Sequence, residues 1–276
     1  MSRTNRDLAD IWATEPNLIV VDASGVLYTD DGPIPGMGDT IRAMSEKVPV
    51  WVATNNTTNS VPEIAKHLHY RGIDIPESRI ISSGLGLVAD PHLHRLVQGN
   101  TVYTMGYPTS SWYATHAGGH PVGHPDDADV IVLAASTGPT THGTLDRIRE
   151  SIQKRHRPVV CVNPDCYVQT GSGLYPVMGY YAAQLAQDIP DMIWMGKPYS
   201  SFSEVVRHYL KSANLTLDSQ TWFFDDNPKN VAQLTRDLGI SGATIMDTGL
   251  CKGLSLPDID ATFGRVPTIR VPSLTL

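Results

Sequence analysis

The stretch NLIVVDASGVLYTD, residues 17–30, carries an apolar run that ends on one carboxylate, Asp22, and continues through Ser24 to Gly25. An apolar run that stops at a glycine turn is typical of a buried strand. Comparable runs alternate with helical patterns along much of the chain, and this alternation indicates a parallel sheet covered by helices on both faces. The sequence therefore predicts an α/β fold built on a Rossmann-like parallel sheet.

The composition excludes several classes of function. The chain has 276 residues, of which 41% are hydrophobic, and a formal net charge of -7. Because binding a phosphate backbone needs a basic face, we expect no nucleic-acid partner. The N-terminus lacks the apolar core of a signal peptide, and no apolar run approaches the roughly 18 residues of a membrane span. The three cysteines match no disulfide or zinc pattern, so we expect a soluble cytoplasmic protein with no membrane partner.

Four of the predicted strands end on polar residues that suit one kind of chemistry. These residues are Asp22, Thr54 with Asn55, Lys197, and Asp225 with Asp226. Ligands bind outside the carboxyl ends of the strands in open α/β sheets, so we expect these side chains to converge. Two carboxylates can hold Mg²⁺, while a hydroxyl and an ammonium group can bind phosphoryl oxygens. Asp22 can also attack phosphorus and form an aspartyl-phosphate.

The alternation of strands and helices is interrupted in the middle of the chain. A second series of strands and helices begins near residue 100, and the first resumes after the segment GSGLYPVMG, residues 171–179. This order favours one core domain with an insertion over two tandem domains. The segment SGATIMD, residues 241–247, is the predicted last strand of the core. The tail VPTIRVPSLTL, residues 266–276, is predicted to be an edge strand or a packed extension because two prolines interrupt it.

Five motifs in a fixed order resemble those of one enzyme superfamily. The motifs are VVDASGVLY (20–28), VWVATNN (50–56), VNPDCYVQTGSGLYPVMGYYAA (162–183), MGKP (195–198) and WFFDDNPKN (222–230). In this order they resemble the haloacid dehalogenase superfamily, in its nitrophenylphosphatase-like or NagD-like branch, over residues 17–250. That branch has a cap domain between its second and third motifs. The resemblance therefore implies a core of residues 1–86 plus 176–276 and an inserted α/β cap of residues 87–175.

The resemblance also implies a role for each motif residue. Asp22 is expected to be the nucleophile and a Mg²⁺ ligand, with the Ser24 carbonyl and Asp226 as further ligands and Asp225 in support. Thr54 and Asn55 are expected to hold the phosphoryl group, and Lys197 to orient Asp22 and neutralise charge. Asn163 and Asp165 are expected on the cap, facing the active site, where such residues shape substrate choice. The implied substrate is a small phosphorylated metabolite, and capped relatives often form homodimers through the cap.

Ser24 departs from the family pattern, in which phosphatases carry an aspartate. That aspartate protonates the leaving alcohol and then deprotonates the attacking water, and losing such help commonly costs about 10²–10⁴-fold in rate. A metal ligand that is a main-chain carbonyl tolerates the serine. Three interpretations follow: a slow phosphatase that favours good leaving groups, an enzyme with a different phosphoryl or phosphonyl reaction, or a protein that binds a phosphorylated ligand without turnover.

Overall fold

The computed structural model describes residues 4–264 and 269–275 as strands, helices and connecting turns. The strands are β1 (Thr4–Asn5), β2 (Leu18–Val21), β3 (Tyr28–Thr29), β4 (Gly32–Pro33), β5 (Val50–Thr54), β6 (Ile80–Ser82), β7 (Thr101–Met105), β8 (His120–Pro121), β9 (Val130–Leu133), β10 (Val159–Cys161), β11 (Tyr167–Thr170), β12 (Gly173–Pro176), β13 (Ile193–Trp194), β14 (Thr221–Asp225), β15 (Ser241–Ile245) and β16 (Ile269–Val271). The helices are α1 (Leu8–Trp12), α2 (Met37–Ser45), α3 (Val61–Tyr70), α4 (Gly86–Ala89), α5 (Pro91–Val97), α6 (Trp112–His116), α7 (Thr141–Lys154), α8 (Met178–Leu185), α9 (Ser200–Ser212), α10 (Pro228–Leu238) and α11 (Leu256–Phe263). None of these helices has the length and hydrophobicity that a bilayer crossing requires.

The larger sheet has seven strands in the order β1-β16-β15-β14-β2-β5-β6, and every neighbouring pair is parallel. The residues of β2, β5 and β14 are all buried, as expected for parallel strands that are covered on both faces. From β2 the strand order runs outward in both directions, so β2 lies at a topological switch point of the sheet. In such sheets the ligand crevice opens at this point, outside the carboxyl ends of the strands.

The smaller sheet has five parallel strands in the order β13-β10-β9-β7-β8. Both faces of the smaller sheet are apolar, as strand β9 shows. Val130 and Val132 belong to the hydrophobic core of the larger sheet, whereas Ile131 and Leu133 belong to a second cluster of buried hydrophobic residues. The second cluster also contains Met178, Tyr181, Ala182 and Leu185 from α8. The core domain predicted from the sequence resumes at residue 176, and so it includes α8 and β13. The structure corrects this: both pack with the smaller sheet.

The C-terminal tail also differs from its prediction. β15 is not the last strand of the larger sheet, because β16 pairs with it in parallel. Nor is β16 at the edge, since the N-terminal strand β1 pairs with its other side. A strand of two residues, like β1, carries no periodic signal that a sequence analysis can detect. Residues 266–268 and 276 of the predicted tail lie outside the described residues.

Local sequence signals set where the two helices nearest the crevice begin. Before α3, the Ser60 hydroxyl accepts the Glu63 N–H at 3.4 Å and the Glu63 carboxylate accepts the Ser60 N–H at 3.1 Å. Before α10, the Asn227 side chain accepts the Lys229 N–H at 3.0 Å. α10 then ends at Gly239, whose φ of +70° suits a helix C-terminus. These caps fix the turns that follow β5 and β14.

Candidate active site

Three buried carboxylates converge at the carboxyl edge of the larger sheet. Asp22 follows β2 directly, Asp225 ends β14, and Asp226 comes next. Because β2 and β14 are neighbouring parallel strands, their ends lie side by side. One carboxylate oxygen from each of the three residues lies within 4.8 Å of the other two. The structure therefore brings together acids that are about two hundred positions apart in the chain.

The ammonium group of Lys197 lies between two of these acids. Its Nζ is 2.7 Å from Oδ1 of Asp22 and 2.7 Å from Oδ2 of Asp225. It also donates a hydrogen bond to the carbonyl of Ala53 at 2.9 Å. Only 1% of the Lys197 side chain is exposed, so these contacts replace its hydration. A buried cation that is held this way has a fixed position beside Asp22.

The two neighbouring acids Asp225 and Asp226 have different environments. Asp225 also accepts the backbone N–H of Asn227 at 2.8 Å and the side-chain amide of Asn230 at 3.2 Å, so its oxygens are already bonded. Asp226 accepts one hydrogen bond on Oδ2, from the backbone N–H of Leu250 at 2.7 Å. Asp225 is therefore placed to support Lys197, and Asp226 is the better metal ligand.

Two glycines leave the space that the Asp226 carboxylate occupies. A Cβ on Gly25 would lie 2.2 Å from Oδ2 of Asp226, and one on Gly249 would lie 1.9 Å from the same atom. Both glycines have positive φ, at +81° and +61°, in the region that favours glycine. The backbone thus closes around Asp226 from two sides.

Burial and like charge shift the pKa values in this cluster. Burial raises the pKa of Asp22 to about 7; the charge of Asp225 adds to the shift, and Lys197 opposes it. Burial and the charges of Asp225 and Asp22 raise the pKa of Asp226 well above its ordinary value. Burial alone would lower the pKa of Lys197, but the charges of Asp22 and Asp225 raise it instead. Among the described residues, three carboxyl groups share the single ammonium group of Lys197, which does not offset their combined negative charge.

This arrangement fits a divalent cation. The three carboxylates are oxygen donors, which Mg²⁺ prefers, and a bound cation would supply the missing positive charge. Asp22 and Asp226 are the residues that would hold it, with Ser24 beside them on the cleft wall. Ser24 keeps its backbone carbonyl whatever its side chain, so the serine is compatible with such a site.

Thr54 ends β5 and Asn55 follows it, and the two side chains have different surroundings. Thr54 borders the cleft, and its hydroxyl accepts the Asn56 N–H at 3.2 Å, which leaves the hydroxyl proton for a ligand. The Asn55 side chain instead accepts the Lys197 N–H at 2.8 Å and donates to the Lys197 carbonyl at 2.9 Å and to Asp165 at 2.8 Å. Both N–H groups of the Asn55 side chain are thus used within the protein, and this side chain positions Lys197. The contact of Asn55 with a phosphoryl group stays a prediction.

The cleft above these residues has a volume of about 310 Å³. Its walls come from the loops after β2, β5, β10, β14 and β15 and from the hairpin of β11 and β12. Asn163 and Asp165 both border it, and the Asn163 side chain accepts the Asp165 N–H at 3.3 Å. The hairpin contributes Tyr167, Val168 and Gln169. The segment GSGLYPVMG, after which the sequence analysis has the core resume, thus contains β12, one strand of this hairpin.

Sequence reasoning missed several residues that shape the site. They are Tyr28, Asn230, Gly249 and Leu250, together with the hairpin residues Tyr167, Val168 and Gln169. Asn230 stands five residues after Asp225 on α10, a spacing that the motif WFFDDNPKN contains. Gly249 lies in a short 3₁₀ turn, Gly249–Cys251, whose sequence carries no signal that links it to Asp226.

Comparison with known proteins identifies relatives of this chain. Residues 19–119 match the family described as haloacid dehalogenase-like hydrolase. A dihydroxyacetone phosphatase of Corynebacterium glutamicum (strain R) is 27% identical over 191 residues, which are 65% of this chain and 64% of that protein. The matched segment thus spans less than two thirds of that relative.

Two solved structures share the fold. A p-nitrophenyl phosphatase from Archaeoglobus fulgidus has a TM-score of 0.78 and 19% identity, covering 94% of this chain and 97% of that chain. A glycerol phosphate phosphatase from Mycobacterium tuberculosis, solved in complex with magnesium, has a TM-score of 0.75 and 20% identity, covering 95% of this chain and 77% of that chain. The predicted α/β fold class with a Rossmann-like sheet is confirmed.

Proposed function

We propose that the chain is a haloacid dehalogenase-like hydrolase, and specifically a Mg²⁺-dependent phosphatase that forms an aspartyl-phosphate on Asp22. The observation that carries this proposal is the convergence of Asp22, Lys197 and Asp226 at one end of the larger sheet. A nucleophilic carboxylate must approach an anionic substrate, so positive charge beside it is essential. Lys197 supplies part of that charge at 2.7 Å from Asp22.

Each residue then has a task in the proposed reaction. Asp22 attacks phosphorus through one oxygen, while Lys197 holds the other and offsets its charge. Thr54 donates its hydroxyl proton to a phosphoryl oxygen. Mg²⁺, held by Asp22, Asp226 and the Ser24 carbonyl, would offset the charge of the phosphoryl group when bound. Magnesium in the glycerol phosphate phosphatase structure supports this choice of cation.

We propose that the substrate is a small phosphate monoester whose alcohol part is polar and uncharged. A cleft of about 310 Å³ is at the low end of the range of roughly 300–1,000 Å³ for small-molecule sites. Among the described residues that line it are Asn56, Thr58, Asn59, Asn163 and Gln169, and no arginine or lysine. A second phosphate or a carboxylate would therefore find no cationic partner. The names of two relatives, a dihydroxyacetone phosphatase and a glycerol phosphate phosphatase, support this class of substrate.

The smaller sheet with α7 and α8 is proposed to act as a cap over the core. Side chains from both parts border the cleft, including Asp22 and Thr54 from the larger sheet and Asp165 and Gln169 from the inserted segment. A homodimer formed through the cap remains a prediction. Sedimentation of the purified protein tests it, because a monomer at all concentrations would contradict it.

The phosphatase proposal is tested with purified protein, Mg²⁺ and p-nitrophenyl phosphate. We expect turnover that stops with a chelator and with Asp22→Asn, and acid quenching should trap phosphate on Asp22. Ser24→Asp, which returns a carboxyl group to the family's usual position, should also turn over this ester. If neither protein turns over any ester, yet inorganic phosphate binds with Mg²⁺, the chain is a binding protein and the proposal fails.

A further inference from the structure

The proposed reaction needs a proton at two points that Ser24 cannot serve. The leaving alcohol must gain a proton when the first P–O bond breaks, and the water that attacks the aspartyl-phosphate must lose one. One group can do both only if its pKa lies near the working pH. A serine hydroxyl is far too weak an acid for this exchange. A different residue in the cleft must therefore carry the proton.

The described residues of the cleft include six that can titrate: Asp22, Tyr28, Asp30, Asp165, Tyr167 and Asp226. Asp22 is the proposed nucleophile, and Asp226 is the proposed metal ligand. Asp30 is exposed and Tyr167 is 42% exposed, so bulk water competes for their protons. Burial raises the pKa of Tyr28 above its ordinary value of 10.0, so its phenolate is too scarce to act as a base. Asp165 is left.

The surroundings of Asp165 fix one of its oxygens and leave the other available. Oδ1 accepts the Asn55 side-chain N–H at 2.8 Å, and the backbone N–H of Asp165 donates to Asn163 at 3.3 Å. Oδ2 accepts no hydrogen bond from any described residue. The same residue borders the cleft together with Asp22 and Ser24. Asp165 is thus a carboxyl group with one anchored oxygen and one oxygen free for a substrate.

The electrostatic setting suits proton exchange near neutral pH. Burial raises the pKa of Asp165 to about 6, with Lys197 and the Asn55 hydrogen bond opposing and Asp225 adding to the shift. The other titratable groups that interact with it are Asp22, Cys161 and Cys166. Asp165 can therefore be protonated in one step and ionised in the next.

We infer that Asp165, on the loop between β10 and β11, is the general acid and base of this phosphatase and replaces the carboxyl group missing at Ser24. The inference rests on the proposed function. In the first step a carboxylate oxygen of Asp22 bonds to phosphorus. The P–O bond to the alcohol breaks, and the alcohol oxygen keeps the electron pair and takes the proton of Asp165. In the second step ionised Asp165 takes a proton from water, whose oxygen bonds to phosphorus as the bond to Asp22 breaks.

A purely structural role for Asp165 makes different predictions. Its hydrogen bond to Asn55 helps to position Lys197, so a structural defect would slow every step and every substrate alike. Loss of a proton donor instead slows the first step more for alkyl esters than for p-nitrophenyl phosphate, because nitrophenolate leaves without a proton. Loss of the base slows hydrolysis of the aspartyl-phosphate for both. The two roles can therefore be separated with one isosteric variant.

The test uses Asp165→Asn, whose amide oxygen still accepts the Asn55 hydrogen bond. With p-nitrophenyl phosphate we expect a fast burst of about one equivalent of nitrophenol, then steady turnover lower by about 10²-fold or more. With glycerol phosphate we expect steady turnover to fall as well, but with no initial burst of released glycerol. Asp31→Asn, which removes an exposed charge next to the hairpin, is the matched control and should behave like the wild type.

A rescue experiment completes the test. Ser24→Asp placed in the Asp165→Asn protein should restore steady turnover, because a carboxyl group returns to the family's usual position. The inference would be overturned if Asp165→Asn slowed the nitrophenol burst and the steady turnover equally. It would also be overturned if Ser24→Asp failed to restore steady turnover. Normal turnover in Asp165→Asn would overturn it too, yet leave the proposed phosphatase intact. A wild type that hydrolyses no ester would instead overturn the proposed function, and the inference with it.

Discussion

The Asn55 side chain binds both backbone groups of Lys197: its oxygen accepts the Lys197 N–H at 2.8 Å, and its amide donates to the Lys197 carbonyl at 2.9 Å. Asn55 follows β5 of the larger sheet, whereas Lys197 follows β13, the last strand of the smaller sheet along the chain. This pair therefore sets the position of the ammonium group that contacts Asp22. The order of the site therefore depends on the Asn55 side chain, although Asn55 is not among the residues that line the cleft.

Asn55→Ala is expected to misplace Lys197 and lower kcat by about 10²-fold, since a displacement near 1 Å costs that much. Removing this buried amide should also cost about 1–3 kcal/mol of unfolding free energy, because it leaves backbone groups unpaired. A double-mutant cycle with Lys197→Met measures the coupling. The losses in kcat should be far from additive. Additive losses would mean that Asn55 acts on something other than Lys197.

Gly249→Ala is expected to weaken Mg²⁺ binding by about 10-fold or more, because the added methyl group displaces the Asp226 carboxylate. Gly253→Ala provides the matched control. Gly253 has a φ of +73°, close to the +61° of Gly249, yet no atom of the part of the chain that the structure describes lies within 4 Å of its added Cβ. Calorimetric titration with Mg²⁺ compares the two. Equal affinity losses would show that backbone strain, and not the clash with Asp226, is responsible.

Metal-free protein should become less stable as the pH rises from about 4 to 7. Burial raises the pKa of Asp22 from 3.8 to about 7, so within this interval the folded state binds more protons than the unfolded state. The unfolding free energy must then fall with rising pH, by an amount on the order of a few kcal/mol for a shift of this size. Urea unfolding in a chelator measures the slope.

Two comparisons sharpen this pH prediction. Asp22→Asn removes the titrating group, so the slope of unfolding free energy against pH should flatten in that variant. Saturating Mg²⁺ should also flatten the slope in the wild type, because a bound cation favours the ionised carboxylate. An unchanged slope in Asp22→Asn would assign the effect to other groups.

Gln169→Lys is expected to extend activity to phosphate esters that carry a second anionic group. Gln169 lines the cleft, and among the described residues its amide donates only to the neighbouring Thr170 carbonyl, at 3.0 Å. A cation at this position should lower the KM for phosphoglycolate by about 10-fold, which corresponds to one hydrogen bond to a charged group. Gln169→Glu, with the opposite charge, should raise the same KM. If both variants leave this KM unchanged, the substrate does not reach the hairpin.

The sequence was sufficient where the chemistry follows a local pattern. The residues Asp22, Thr54, Lys197 and Asp226 each follow or end an apolar run, and the structure has them at the end of a strand or in the turn after one. Parallel strands of one sheet present their carboxyl ends on one edge, so the convergence of Asp22, Thr54 and Asp226 could be predicted. Lys197 follows a strand of the smaller sheet, and only the packing of the two sheets brings it to this edge. The role of Asn55 could not, because the direction of its side chain depends on Lys197 and Asp165, which meet it only in the folded chain.

The sequence by itself determined the alternation of strands and helices, the strand-end carboxylates and the absence of an acid at Ser24, because these depend on residue type and spacing along the chain. Only the tertiary structure decided what surrounds them. Asp165 bonds to Asn55 from 110 positions away, and Leu250 bonds to Asp226 from 24 positions away. Such contacts depend on how separate elements pack, which side-chain periodicity does not encode. Packing also decides which carboxyl groups lose water, and so which of them can hold or exchange a proton near neutral pH.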